Sequence, residues 1–391
     1  MAVSPRLQGG NKILPERRPR RRLRSPYFIV AIAALRFAVL GCAGITSPDG
    51  WAGPHLEDDV LYLTPDSGEI AAVDPEDFSV RWLFPATSEV VCGEPPQARE
   101  RDLKGIYGTP VLDDESVYIA GYDGWVYSLD RDDGRCNWAF DSGDPIVGGL
   151  TLVDGVLYFG SDNGLFFALS AEDAEVLRAF DTGDRIWATP LYEDGVLYVP
   201  NLDGQVWAFE AETFDLAWVE PFKVKGGLLT DPILVGDTLI VGGVGERLYG
   251  IDPETGLEKW ESAFKAGNWF WGTPLVDEEN EVIYAPNLDS SVYALTFDGQ
   301  QLWRFEADNP VRSTPILIGD TLMVIDRKGN AYGVDPETGA GRWPAPAELK
   351  DTVLSNPMPY EEGILIVAQG GDIFQLNADG SGLRKIEVRT G

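Results

Sequence analysis

The sequence predicts an all-β fold, an eight-bladed β-propeller of four-stranded antiparallel blades. Three observations predict it. A proline recurs at Pro54, Pro110, Pro190, Pro232, Pro274, Pro315 and Pro357, with Leu150 in its place once, at spacings of 56, 40, 40, 42, 42, 41 and 42 residues. A tryptophan recurs in step with it, eight residues after an acidic one, in the pairs Asp74/Trp82, Asp130/Trp138, Glu210/Trp218, Asp252/Trp260 and Asp335/Trp343, and one residue sooner in Thr296/Trp303. Each interval also holds short alternating apolar runs separated by turn residues. A period of about 40 residues with four strands per unit is the sequence form of a propeller. One such sheet cannot bury both of its faces, whereas a ring packs each sheet between two neighbours and hides most strand edges.

Residues 1–41 carry nine Arg or Lys and one Glu against a whole-chain charge of −32, leaving −40 for the remainder. The basic block runs into a largely apolar stretch, residues 27–40, interrupted by Arg36, and then reaches Gly41-Cys42. This order reads as a secretory signal. Residues 42–52 read as a cysteine and a short tether, and residues 53–391 as the propeller. A domain this acidic is repelled by nucleic acid, so the partner expected is not nucleic acid. The bland reading of the charge is solubility.

Along the propeller, the unit over residues 108–140 sets the pattern. Asp123-Gly124 between alternating runs predicts a two-residue hairpin with positive φ at both central residues. Units one, five and seven share an Asp-Pro-Glu turn, in which proline presets φ. The recurring indoles of Trp82, Trp138, Trp218, Trp260, Trp303 and Trp343 are expected to fill the gaps between blades and to donate to neighbouring carbonyls. The third unit has Arg178 where tryptophan is expected, and the eighth ends in Arg384-Lys385-Ile386 without one. The first interval is about 15 residues too long, with the excess around residues 88–104. Cys92 falls in that excess and Cys136 on the last strand of unit two. In an oxidising compartment they are candidates to pair, with two free thiols as the alternative. The acidic clusters lack the alternating ligand spacing of a calcium loop, so no metal is expected.

The links from each unit's last strand to the next unit's first strand gather much of the scarce positive charge and several aromatics. If the repeats are in phase, these links share one rim at the mouth of the axial funnel. Tyr107, Arg185, Trp187, Lys225, Trp269, Trp271 and Arg312 are the candidate residues for binding a ligand or partner there. Aromatic faces with cations suit planar, anionic or sugar-like groups, or a loop of a protein partner. The competing reading is that the aromatics pack between blades and the cations offset nearby carboxylates.

A single histidine, His55, excludes the WD40 pattern, which needs a Gly-His pair in each blade. The turns Asp252-Pro-Glu-Thr-Gly256…Trp260 and Asp335-Pro-Glu-Thr-Gly339…Trp343, and in part Ala72-Val-Asp74…Trp82, resemble the quinoprotein-type (PQQ-like) propeller repeat with its Trp-docking motif. The resemblance covers about residues 51–388 and implies the fold. The family includes dehydrogenases with pyrroloquinoline quinone in the funnel, an adjacent Cys-Cys pair and a calcium site. Here no two cysteines are adjacent, there is no Cys-x-x-Cys-His, and His55, placed at a blade edge, makes a poor acid–base centre. No Gly-x-Ser-x-Gly, phosphate loop or zinc spacing appears either. The expectation is therefore not an enzyme, with no cofactor.

Cys42 resembles the bacterial lipobox cysteine, which implies cleavage before it and lipidation; an uncleaved signal anchor is the alternative. Signal, lipid anchor, tether and eight blades together resemble the BamB-like lipoproteins of outer-membrane assembly. That resemblance implies a non-catalytic, extracytoplasmic, membrane-anchored scaffold for a protein partner, such as an outer-membrane assembly complex. The alternative function is a small-molecule-binding propeller or degenerate quinoprotein with its ligand in the funnel.

Overall fold

The computed structural model describes residues 51–64, 68–86, 89–93, 97–100 and 105–389. The signal segment, Cys42 and the tether up to residue 50 lie outside the described residues. Within the Thr46–Gly391 unit, the described chain folds into eight sheets in sequence order, each built on four antiparallel strands. We number them as blades 1 to 8, over residues 55–84, 111–141, 151–181, 191–223, 233–265, 275–306, 316–348 and 358–386. Among the described residues there is no helix.

Eight apolar clusters hold the ring, each shared by two consecutive blades. The second and third strands are buried on both faces, as in Val117, Tyr118 and Ile119 against Val126, Tyr127 and Leu129. Apolar residues therefore run nearly continuously along these strands, where the sequence reading expects alternation. The ring closes through one of these clusters, in which Leu61, Val73 and Phe78 of blade 1 pack on Leu365, Val367 and Ile386 of blade 8. The C-terminal segment adds backbone bonds to it: Val80 N–H donates to the Arg389 carbonyl at 3.0 Å and Arg389 N–H to the Phe78 carbonyl at 2.9 Å.

The six recurring tryptophans work between blades. Each indole N–H donates to a carbonyl in the next blade's outer turn: Trp82 to Arg131 at 2.9 Å, Trp138 to Ala171 at 3.0 Å, Trp218 to Pro253 at 2.8 Å, Trp260 to Phe297 at 2.9 Å, Trp303 to Pro336 at 3.0 Å and Trp343 to Ala378 at 3.2 Å. That turn ends on a left-handed residue, usually glycine, lying flat on the indole. A Cβ on Gly256 would come within 2.6 Å of Trp218, and one on Gly339 within 2.7 Å of Trp303. Glycine suits both the positive φ and the close approach, and alanine takes the place once, as Ala174 at φ 60° beside Trp138.

Two interfaces lack tryptophan, and both are rebuilt in the same way. Arg178 of blade 3 pairs with Ala168, and Arg384 of blade 8 with Gln375, at the register where Ala72 pairs with Trp82. In the following blades the left-handed position carries phenylalanine: Phe214 at φ 62° and Phe78 at φ 58°. Phe214 stacks on Phe166 and Phe209 at 5.3 and 5.2 Å, and Phe78 packs on Tyr360 at 6.0 Å. The turn carbonyls keep a tyrosine donor, Tyr158 to Ala211 at 3.1 Å and Tyr360 to Pro75 at 2.6 Å, as Tyr118, Tyr198 and Tyr284 donate at 3.3–3.4 Å to carbonyls that a tryptophan also bonds.

Blade 2 has six strands. Part of the excess in the first interval forms a hairpin, Glu89–Cys92 with Gln97–Glu100, whose first strand runs parallel to the blade's outer strand. A disulfide joins Cys92 to Cys136 across that pairing.

The Asp123-Gly124 turn departs from expectation. Gly121 N–H donates to the Trp125 carbonyl, so three residues lie between the strands, and of them Gly124 alone has positive φ. The Asp123 carboxylate accepts from Trp125 N–H at 3.2 Å and from the Tyr127 hydroxyl at 2.7 Å. The tight turns with two positive φ values instead join first and second strands, as at Asp154-Gly155 and Asp194-Gly195.

Candidate functional site

The links before each first strand alternate in direction, and that alternation builds the site. Counting back from the recurring proline, the fourth residue is buried between blades, as in Ile106, Ile146, Ile186 and Phe270. The third turns to the ring axis. At that position Trp51, Tyr107, Trp187, Trp271 and Arg312, with Val147, Leu229 and Leu354, line a cavity of about 470 Å³ reached by all eight blades. The second is always small, because the neighbouring backbone is close; a Cβ on Gly272 would come within 1.9 Å of the Arg312 carbonyl.

The residue next to the proline forms a polar belt. Gly149 N–H donates to Thr189 Oγ1 at 2.9 Å, and Thr189 N–H to Asp231 Oδ1 at 2.6 Å. Thr273 Oγ1 donates to Asp231 Oδ2 at 3.4 Å. Thr314 donates from Oγ1 to the Thr273 carbonyl at 2.8 Å and from N–H to Asn356 Oδ1 at 2.9 Å. These bonds tie blades 3 to 8 around the axis. Burial raises the pKa of Asp231, against the Thr189 N–H and the Thr189 and Thr273 hydroxyls, which hold it down.

Arg312 is the unusual member. It is 7% exposed. Its guanidinium carbon lies 3.8 Å from the ring centre of Trp51 and 4.9 Å from that of Trp271. Nη1 reaches the Leu354 carbonyl at 3.4 Å, and Nε has no partner. No carboxylate among the described residues pairs with it. Burial lowers its pKa to about 9, helped by the positive charge of Arg327. The aromatics form a connected wall, with Trp51 on Tyr107 at 4.0 Å, Trp51 edge-on to Trp271 at 6.4 Å and Trp187 on Trp271 at 6.2 Å.

The structure divides the residues expected at one rim. Tyr107, Trp187, Trp271 and Arg312 line the cavity, whereas Arg185, Lys225 and Trp269 do not. Arg185 and Trp269 sit five residues before their prolines, two residues short of the position that reaches the cavity. The Arg185 side chain is 53% exposed and lies 3.7 Å from Asp162, which also accepts from the Trp187 indole at 2.8 Å. Lys225 is exposed on its link. His55, read from sequence as a blade-edge residue, lines the cavity and lies 3.0 Å from Glu57. Trp51, Asp231 and Asn356 are cavity residues that sequence reasoning missed. A count of three and one residues back from every proline is the signal that finds them. The disulfide lies at the outer edge of blade 2, and no cysteine lines the cavity. Among the described residues, no group of three or more His, Cys, Asp or Glu side chains is placed to hold a metal ion.

Ring, interblade indoles and axial cavity together define an eight-bladed propeller of the quinoprotein-type repeat class. A family profile described as outer membrane protein assembly factor BamB matches residues 44–146, 122–268 and 221–390, and the chain belongs to that family. It is similar to BamB of Burkholderia pseudomallei, 28% identical over 125 residues, covering 30% of each chain. It is also similar to a tetrathionate hydrolase of Acidithiobacillus ferrooxidans, 28% identical over 120 residues, covering 24% of each. The chain thus matches less than a third of the length of these curated relatives. Among solved structures, BamB from Moraxella catarrhalis superposes with a TM-score of 0.63 at 17% identity, over 82% of this chain and 92% of that one, and shows the shared fold.

Proposed function

We propose that this chain is a non-catalytic, extracytoplasmic scaffold, held at a bacterial membrane by a lipid on Cys42, that binds a protein partner in outer-membrane or envelope protein assembly. The observation that carries the reading is the family match, which runs through all eight blades rather than one motif. The leader suits it, since a basic segment and short apolar run before Cys42 direct export. The cavity suits it too. A quinone enzyme of the resembling class would bring an adjacent cysteine pair to the funnel, and here the cavity wall contains none. The partner surface is the link-bearing face, where the aromatic mouth of Trp187 and Trp271 adjoins links carrying the exposed Arg185 and Lys225. Aromatic and arginine side chains are the groups that most often dominate protein interfaces.

The test is purification of the tagged full-length protein from its own membranes in mild detergent. A membrane protein recovered in stoichiometric amount, and lost from the double variant Trp187→Ala/Trp271→Ala, is the expected result. Recovery of the chain alone, or a partner indifferent to the double variant, would count against the reading.

A further inference from the structure

The axial cavity contains a charge that the protein leaves unmatched. A buried ion is costly unless it is paired and its hydrogen bonds are made. This chain has 63 acidic side chains against 31 basic ones. None of those among the described residues pairs with Arg312, although every other blade supplies a side chain to the same cavity. Two indoles flank the guanidinium and offset part of the cost, since aromatic faces attract cations most when water is excluded. They do not satisfy its N–H groups: Nε is buried without a partner and the one protein bond, from Nη1, is long at 3.4 Å. Among the described residues, no other arginine nitrogen is both buried and unpartnered.

The surroundings define what could complete it. The walls near Arg312 are indole and aliphatic, from Trp51, Trp271 and Leu354, and the polar belt adds hydroxyl and amide groups from Thr189, Thr273 and Asn356 and the Asp231 carboxylate, which accepts from Thr189 N–H and the Thr273 hydroxyl. A cavity lined about equally by polar and apolar atoms, with a volume of about 470 Å³, is of the size that encloses a small organic ligand. We propose that the axial cavity is a binding site for a small organic carboxylate, whose anionic end meets the Arg312 guanidinium while its apolar body lies against Trp51 and Trp271. A carboxylate matches the guanidinium in charge and in planar geometry. The proposal does not rest on the scaffold reading, because the site lies within one chain and needs no partner.

The probe is sodium benzoate, with benzamide as its neutral counterpart, titrated into the detergent-solubilised full-length protein. Tryptophan fluorescence and the melting temperature are followed. Benzoate should bind saturably and raise the melting temperature, and benzamide should bind at least roughly tenfold more weakly, the scale of one charge-assisted hydrogen bond. Arg312→Met should lose benzoate binding, and without benzoate should melt no lower than the parent, because it replaces an unmatched buried charge by an apolar side chain. Absence of saturable benzoate binding, equal binding of benzamide, or unchanged benzoate binding by Arg312→Met would overturn the proposal. If Arg312→Met does not fold, Trp271→Leu is read instead. It keeps the guanidinium and removes one wall, and should weaken benzoate several-fold; unchanged affinity overturns the proposal equally.

Discussion

The boundary between blades 3 and 4 offers a test in which two substitutions should be harmful singly and harmless together. Arg178 occupies the tryptophan register, and Phe214, at φ 62°, fills the space an indole would take. Phe214→Gly removes a half-buried ring stacked on Phe166 and Phe209. Loss of such a ring costs about 3 kcal/mol, and relief of the left-handed strain returns about 1, leaving a net loss of about 2 kcal/mol. Arg178→Trp alone has nowhere to lay its indole, because Phe214 is already there, and overpacking costs about 1–3 kcal/mol. In the double variant Arg178→Trp/Phe214→Gly the new indole lies on the new glycine and donates to the Ala211 carbonyl, as Trp218 does on Gly256 with the Pro253 carbonyl. Its stability should return to within about 1 kcal/mol of the parent, a coupling of about 2 kcal/mol or more. The assay is urea denaturation of the four proteins, followed by circular dichroism and by tryptophan fluorescence so that any loss of cooperativity between blades is seen. Additive effects, with the double variant as unstable as the sum of the singles, would refute the idea that the two residues are alternative fillings of one space.

Other parts of the ring give separate expectations. Tyr360→Phe leaves the Pro75 carbonyl without its donor at the 8-to-1 closure and should cost about 1 kcal/mol in the same denaturation assay. Cys92→Ser/Cys136→Ser opens a cross-link spanning 44 residues, worth up to about 4 kcal/mol in the chain-entropy view, and should speed amide exchange at Val90 and Val91. Asp231 has a folded pKa raised by burial, so its contribution is fully present below the unfolded carboxyl pKa of about 4 and is lost as pH rises through the folded value. Asp231→Asn should therefore melt higher than the parent near pH 8, with the difference shrinking toward pH 4; a constant difference would contradict this.

The fold was legible because its determinants repeat. Proline, small residue, apolar pair and indole return every 40 or so positions, and each return reinforces the others. The repairs at Arg178 and Arg384 were not legible, because they pair two positions in different units, tryptophan in one and glycine in the next, and only the ring brings these together. The site was half legible. Aromatic and cationic links could be picked out, but Arg185 and Trp187 are two residues apart and Trp187 alone lines the axis. Composition cannot separate them; register against the proline can. Trp51 reads in sequence as the end of a tether, and Asp231 draws no notice as one acid in so acidic a chain. How the ring closes depends on Arg389 reaching Phe78 and Val80, a contact spanning nearly the whole propeller.

The central functional claim is that the link-bearing face holds a protein partner at the membrane. The most direct measurement is the stoichiometry of proteins recovered with the tagged chain from its own membranes, for the parent and for Trp187→Ala/Trp271→Ala, with circular dichroism confirming that both are folded. One membrane protein in near-equal amount with the parent, and its loss from the folded double variant, is the expected result. A folded parent that is recovered alone would contradict it.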